Sequence, residues 1–157
     1  HMQWVTRHRP KIDRVACPWL IKRFVDKEAE FLFVPPDQVK AVAQKTGAIP
    51  YDIEGVELTH DGPLCSFDAN IKKYDLKDPA LPEIATIIRG ADTDRHDLHP
   101  ACPGVYAVLI GLSATYSDDH EQLEHAMIVC EALFAWCSTA RGETHTWNPQ
   151  KSATART

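Results

Sequence analysis

The feature that most constrains this chain is an apolar stripe, Leu123, Ala126, Met127, Cys130, Leu133, Phe134 and Cys137, whose members recur at three and four positions. That period fits one face of an α-helix and no face of a strand, so the segment must bury one side against other elements. Asp118, with Glu121 three residues later, forms a capping-box signature at its start. The same period runs through Leu81, Ile84, Ala85 and Ile88, opened by Asp78-Pro79, and through Val105, Val108, Leu109 and Leu112. The second half is therefore expected to be helical.

The first half reads differently. Trp4-Val5-Thr6 has the composition of a short strand, and Phe31-Leu32-Phe33-Val34, stopped by Pro35-Pro36, is a continuous apolar run expected to be a buried strand. Between them Asp13 is placed to cap a helix reaching about Val25, with Val15, Ala16, Trp19, Leu20 and Phe24 on its apolar face. Pro18 clashes with the carbonyl four residues earlier, so this helix either begins near Cys17 or bends there. Residues 37–45 suit a short helix ended by Gly47, and Ile49 to Leu58, interrupted by Pro50 and Gly55, suits strands or a hairpin. The expected class is α+β and predominantly helical, with a small β-sheet from the N-terminal half packed on helices. We expect one domain over residues 3–143, a polar and partly frayed tail over 144–157, and a cloning remnant at His1-Met2.

A content of 44% hydrophobic and 25% charged residues suits one soluble globular core. The net charge of -5 and pI near 5.9 argue against direct nucleic-acid binding, which needs a basic face. Five scattered cysteines without a CxxC pair make no disulfide framework and fit reduced thiols in the cytoplasm. No apolar run approaches the ~20 residues of a membrane helix, and the start lacks the apolar core of a signal peptide.

Chemistry-bearing side chains concentrate between residues 60 and 99. His60, Cys65 and Asp68 share a loop punctuated by Gly62-Pro63, and imidazole, thiolate and carboxylate are the side chains that hold transition metals. The plain alternative is a buried Cys65 beside Phe67, an Asp68 that caps the next helix, and a surface His60. Asp92, directly after the small pair Gly90-Ala91 at the end of an apolar helix, is the fourth candidate ligand. Asp94 to His99 lack the glycine and terminal glutamate of a calcium loop and are expected to be solvated. Glu121 with His125, and His120 with Glu124, are spaced four apart but lie off the apolar stripe, as a solvated face does. Mixed imidazole and carboxylate ligands suit zinc, iron or manganese with little discrimination.

A second candidate is basic. Arg7, Arg9 and Arg14 surround a possible helix N-terminus with Lys11 between them, and guanidinium forks with free amides make an oxyanion site. The alternative is a solvated loop in which Asp13 pairs with one arginine.

Taken in order, Trp4 to Asp26, Phe31 to Val34, His60 through Cys65-Ser66-Phe67-Asp68, and Arg89-Gly90-Ala91-Asp92 resemble the C-terminal domain of the chromate-resistance ChrB family, over nearly the whole chain. The resemblance implies a chromate-responsive regulator or an accessory protein beside a transporter, without naming a reaction. Two positions depart from the family pattern: Asp68 stands where many members carry Glu, and Arg89 where many carry His. Arginine does not ligate a metal in that role, and Arg89 is a fourth anion-binding candidate.

Three functions compete at this level. The first is a sensor or accessory domain that binds a divalent transition metal, chromate or another small oxyanion. The second is a metal-dependent enzyme of chromate or oxidative-stress detoxification. The third is a regulatory homodimer whose polar cluster is structural.

Overall fold

The computed structural model describes residues 2–55, 57, 59 and 65–144. His60, the tail from 145 onward and His1 lie outside the described residues. Three parallel strands, β1 (Gln3–Arg7), β2 (Glu30–Val34) and β3 (Ile49–Pro50), form a sheet of order β2-β1-β3. Parallel neighbours need crossovers, supplied by α1 (Asp13–Phe24) and α2 (Val39–Thr46). Then follow α3 (Ser66–Lys73), α4 (Leu81–Asp92), α5 (Cys102–Thr115) and α6 (Asp119–Ala135), which continues as one π-helical turn, Trp136–Ala140.

The alternation of β1 divides the core. Trp4 joins the main cluster with residues of α1, α3, α4 and α6, while Val5 meets Val39 and Ala48 on the α2 face. Helices thus cover both faces of the sheet, as a parallel sheet requires. The apolar stripe of α6 behaves as its period predicts: Leu123, Ala126, Cys130 and Phe134 are buried, and Phe134 meets Trp19 of α1 at a ring separation of 5.6 Å. Asp118 accepts the Glu121 N–H at 2.9 Å, the expected cap.

Several local expectations are corrected. The run Phe31–Val34 is not uniformly buried, because β2 is an edge strand and only Phe31 is fully covered. Among the described residues no hairpin follows Ile49. Instead two residues pair in parallel with Trp4 and Val5, and Pro50, lacking an N–H, sits on an edge where none is needed. The helix after Asp78-Pro79 starts two residues later than expected, at Leu81, with the Asp78 carboxylate on the Ala80 N–H at 2.9 Å. Val108 is turned to solvent, 49% exposed, while Leu109 is buried.

Pro18 neither starts nor breaks α1, which runs from Asp13 through it. The carbonyl that Pro18 cannot satisfy belongs to Arg14, and the Tyr51 hydroxyl donates to it at 3.1 Å. Asp13 is not the cap of its own helix either. Ile12 holds that position with φ 44°, and the Asp13 carboxylate reaches the start of α3 instead. Among the described residues no helix is long and apolar enough to cross a membrane.

Candidate ligand groove at the carboxyl edge of the sheet

Parallel strands end on the same side, and here the order β2-β1-β3 makes the chain reverse direction between β1 and β3. A crevice opens outside the strand ends at such a point, where open α/β sheets place ligands. A groove of about 980 Å³ lies there, with Arg7 from the end of β1, Asp52 after β3, Lys11 and Arg14 around the start of α1, Asp37 after β2, and Asp92 from the end of α4. With Glu54 after Asp52, three cations and four carboxylates therefore face one space.

The acids are bound into the fold. Asp52 accepts from the Ser66 hydroxyl at 3.0 Å and from Arg7 Nη2 at 3.3 Å, with Arg14 Nε 3.6 Å away. Asp92 Oδ1 accepts the Asp13 N–H at 3.3 Å. Behind them the fully buried Asp13 carboxylate takes the N–H groups of Ser66 and Phe67, both at 2.9 Å, and the Cys17 thiol at 3.3 Å. One carboxylate thus terminates α3 from across the molecule. Burial, reinforced by Asp92 and Asp52, pushes the Asp13 carboxyl well above its usual range against the stabilising bonds from Cys17 and Ser66.

The bases divide by what they already hold. Arg14 is spent on the fold, donating to the carbonyls of Arg7 at 2.8 Å, His8 at 3.2 Å and Arg9 at 3.3 Å. Burial and the nearby Arg7 push its guanidinium down from its usual value, with Asp52 opposing. Arg7 keeps capacity. Its Nη2 bonds the Asp52 carbonyl at 3.1 Å and carboxylate, while its buried Nε has no partner among the described residues. Lys11 is exposed at the rim. Arg9 lies outside the groove: its guanidinium donates to Ser113, Tyr116, Ser117 and Asp119 at the α5–α6 turn.

Cys65 and Asp68 sit on another side of α3. Asp68 is the third residue of that helix, its Oδ2 taking the Cys65 N–H at 3.0 Å and the Cys65 thiol at 3.3 Å. Its Oδ1 takes Arg89 Nη1 at 2.9 Å. Asp68 and Arg89 line a separate depression of about 600 Å³ between α3 and α4. Of the expected metal set, Asp92 faces the groove and Asp68 with Cys65 does not.

The model of the family described as ChrB, C-terminal domain, matches residues 4–137. The chain belongs to the ChrB C-terminal domain family. Protein ChrB of Cupriavidus metallidurans strain CH34 is 31% identical over 140 residues, covering 88% of this chain and 42% of that protein. The chain therefore spans less than half the length of this curated relative. No solved structure matches.

In this ChrB domain the thiols are poor candidates for exposed chemistry. Burial raises the Cys17 thiol, with Asp13 adding to it, and raises Cys65 likewise. Cys130 is pushed up to about 12. Among the described residues no three His, Cys, Asp or Glu side chains are grouped to hold a metal ion. Of the surface set, His120, Glu121 and Glu124 are exposed, and His125 stacks on Tyr116 at 4.3 Å. His96 rests on Tyr106 and His99 on Trp136.

Sequence reading missed Asp52 and the crossing role of Asp13. The available signal for Asp52 was a carboxylate directly after the short apolar run Ile49-Pro50-Tyr51, just beyond the end of a parallel strand. For Asp13 no local signal existed, because its partners are more than fifty residues away, at Ser66 and Phe67.

Proposed function

We propose that this ChrB domain is the ligand-responsive part of a chromate-resistance protein and takes a small tetrahedral oxyanion, chromate being the relevant one, in the groove at the strand ends. ChrB family membership implies a role related to chromate resistance, and a charged groove at the strand ends supports reading a ligand there. The observation that carries the reading is Arg7, whose buried Nε has no partner among the described residues, beside Lys11 and the carbonyl-bound Arg14. With Nη2 already held by Asp52, Arg7 offers a tetrahedral dianion its Nε–H as a charge-assisted donor, and Lys11 adds a mobile charge at the mouth. Asp52 and Asp92 set a limit: an anion must approach from the Arg7 and Lys11 side.

Equilibrium dialysis against chromate, with sulfate as competitor, tests this. We expect saturable one-to-one binding, weakened about tenfold or more by Arg7→Ala, since a charge-assisted hydrogen bond contributes about 1.5–3 kcal/mol. Binding that ignores both Arg7→Ala and Lys11→Ala would remove the groove from the reading.

A second reading rests on a different observation, that Asp52 and Asp92 both line the groove. Asp52 and Asp92 would supply two oxygen ligands to a divalent zinc, iron or manganese ion, with His60 as the further ligand suggested by sequence. Elemental analysis of protein purified without added metal separates the two readings. Stoichiometric metal lost in Asp92→Asn favours the second, and metal-free protein that still binds chromate favours the first.

A further inference from the structure

The outer edge of β2 carries main-chain groups that the chain leaves unused. Glu30 N–H bonds Met2 O at 3.0 Å, and Val34 O takes the His8 N–H at 2.7 Å, so the even-numbered residues of β2 face β1. By alternation the N–H and C=O of Phe31 and Phe33 point outward, and among the described residues they make no hydrogen bond. Glu30–Val34 contains no lysine, proline or glycine, and its central three residues are all apolar.

A groove of about 500 Å³ runs along this edge, walled by Phe31 and Leu32 on one side and by Leu123, Glu124 and Met127 of α6 on the other. Four residues after Glu124, and so on the same face of α6, stands Ile128. It is 66% exposed, the most exposed large hydrophobic side chain among the described residues. A hydrogen-bonding edge and an uncovered apolar side chain thus flank one seam.

We infer that this seam is the homodimer interface, closed by antiparallel pairing of β2 with β2 of a second copy. A two-fold axis through Leu32 sets Phe31 opposite Phe33 of the second copy, and this register uses all the outward N–H and C=O groups on both sides. The Leu32 side chains then meet as a non-hydrogen-bonded pair at the axis. The same axis keeps both α6 helices on one face of a joined six-stranded sheet and brings the two Ile128 side chains to the seam. Charge favours a second copy as the occupant. In this register each Glu30 lies opposite Val34 of the other copy and the two Glu30 residues stand at opposite ends, so the paired strands oppose no like charges.

The test is light scattering with size-exclusion chromatography of the full chain, from micromolar to sub-millimolar concentration. We expect a concentration-dependent dimer whose dissociation constant rises about tenfold or more in Ile128→Lys, from the loss of one buried aliphatic side chain per copy. The lysine sits between Glu124 and Glu131 on an exposed helix face, so circular dichroism should report an unchanged fold. Leu32→Cys should form an intermolecular disulfide on oxidation, and Glu30→Cys should not, because a dyad through residue 32 joins the former and separates the latter. A monomer at every concentration overturns the inference. So does a dimer indifferent to Ile128→Lys without the Leu32→Cys cross-link, which would assign the contact to another surface such as α5. Protection of the Phe31 and Phe33 amides from hydrogen exchange only when an unrelated extended peptide is added would give the edge to a different occupant and likewise overturn it.

Discussion

Asp13 shows how one buried side chain can join parts of a chain that local patterning keeps apart. Its sequence position suggested a cap for α1, a reading that weighs only near neighbours, whereas its carboxylate terminates α3. Because burial raises its pKa, the folded state holds the proton more tightly than the unfolded chain does. Its contribution to stability is therefore full below the ordinary carboxylate pKa and is lost as pH rises through the raised one. Urea denaturation of Asp13→Asn should show a deficit of about 1–3 kcal/mol in acid that shrinks toward neutral pH, and a deficit that grows with pH would contradict the shift. Gly90 is simpler. A Cβ there runs into Cys102 Sγ and meets the Arg95 carbonyl at 2.8 Å, so Gly90→Ala should cost about 1–3 kcal/mol by denaturation, despite a helix-propensity gain of about 1 kcal/mol. The small pair Gly90-Ala91 was legible as a place of close backbone packing, although the partner helix was not.

At the level of elements, the helices with an apolar face at regular spacing were legible because burial enforces the period that the sequence displays. β3 was not, since two residues with a proline carry no alternation, and their pairing is decided by β1. The loop between β1 and α1 was legible as stiff and basic but not as two populations of arginine. Arg9, held at φ 51°, fastens that loop to the α5–α6 turn, while Arg7 faces the groove. Arg9→Ala should therefore destabilise the fold by about 2–4 kcal/mol, through several lost charge-assisted bonds, and leave chromate affinity unchanged in equilibrium dialysis. The opposite pattern, a stable protein with weakened binding, would move Arg9 into the ligand site. Arg89 gains a definite neighbour: its bond to Asp68 joins α4 to α3, a pairing that two separate sequence runs gave no means to foresee.

For the whole molecule, the small sheet under a helical half followed from the patterning, and the order of several short motifs carried the family. What the sequence could not show was convergence, because residues 7, 14, 52 and 92 meet only once three strands end at one edge. The same closure hides the thiols. Four of the five cysteines are buried and Cys137 is partly covered. A native thiol titration with an aromatic disulfide reagent should count at most one reactive group, and all five after unfolding, while rapid native labelling of Cys17 or Cys65 would show that the core beside the groove opens. The bonds that pin the start of the chain also fix when it can fold. Pro10 O is held by Gln122, the Trp19 indole by Glu131, and Arg9 by Asp119, over separations of 110 to 112 residues. A ribosome releases β1 and α1 long before it makes the helix that secures them. The nascent domain must therefore wait with the α6 side of Trp19 uncovered, so a chain stopped before α6 should be recognised by the cell as unfinished.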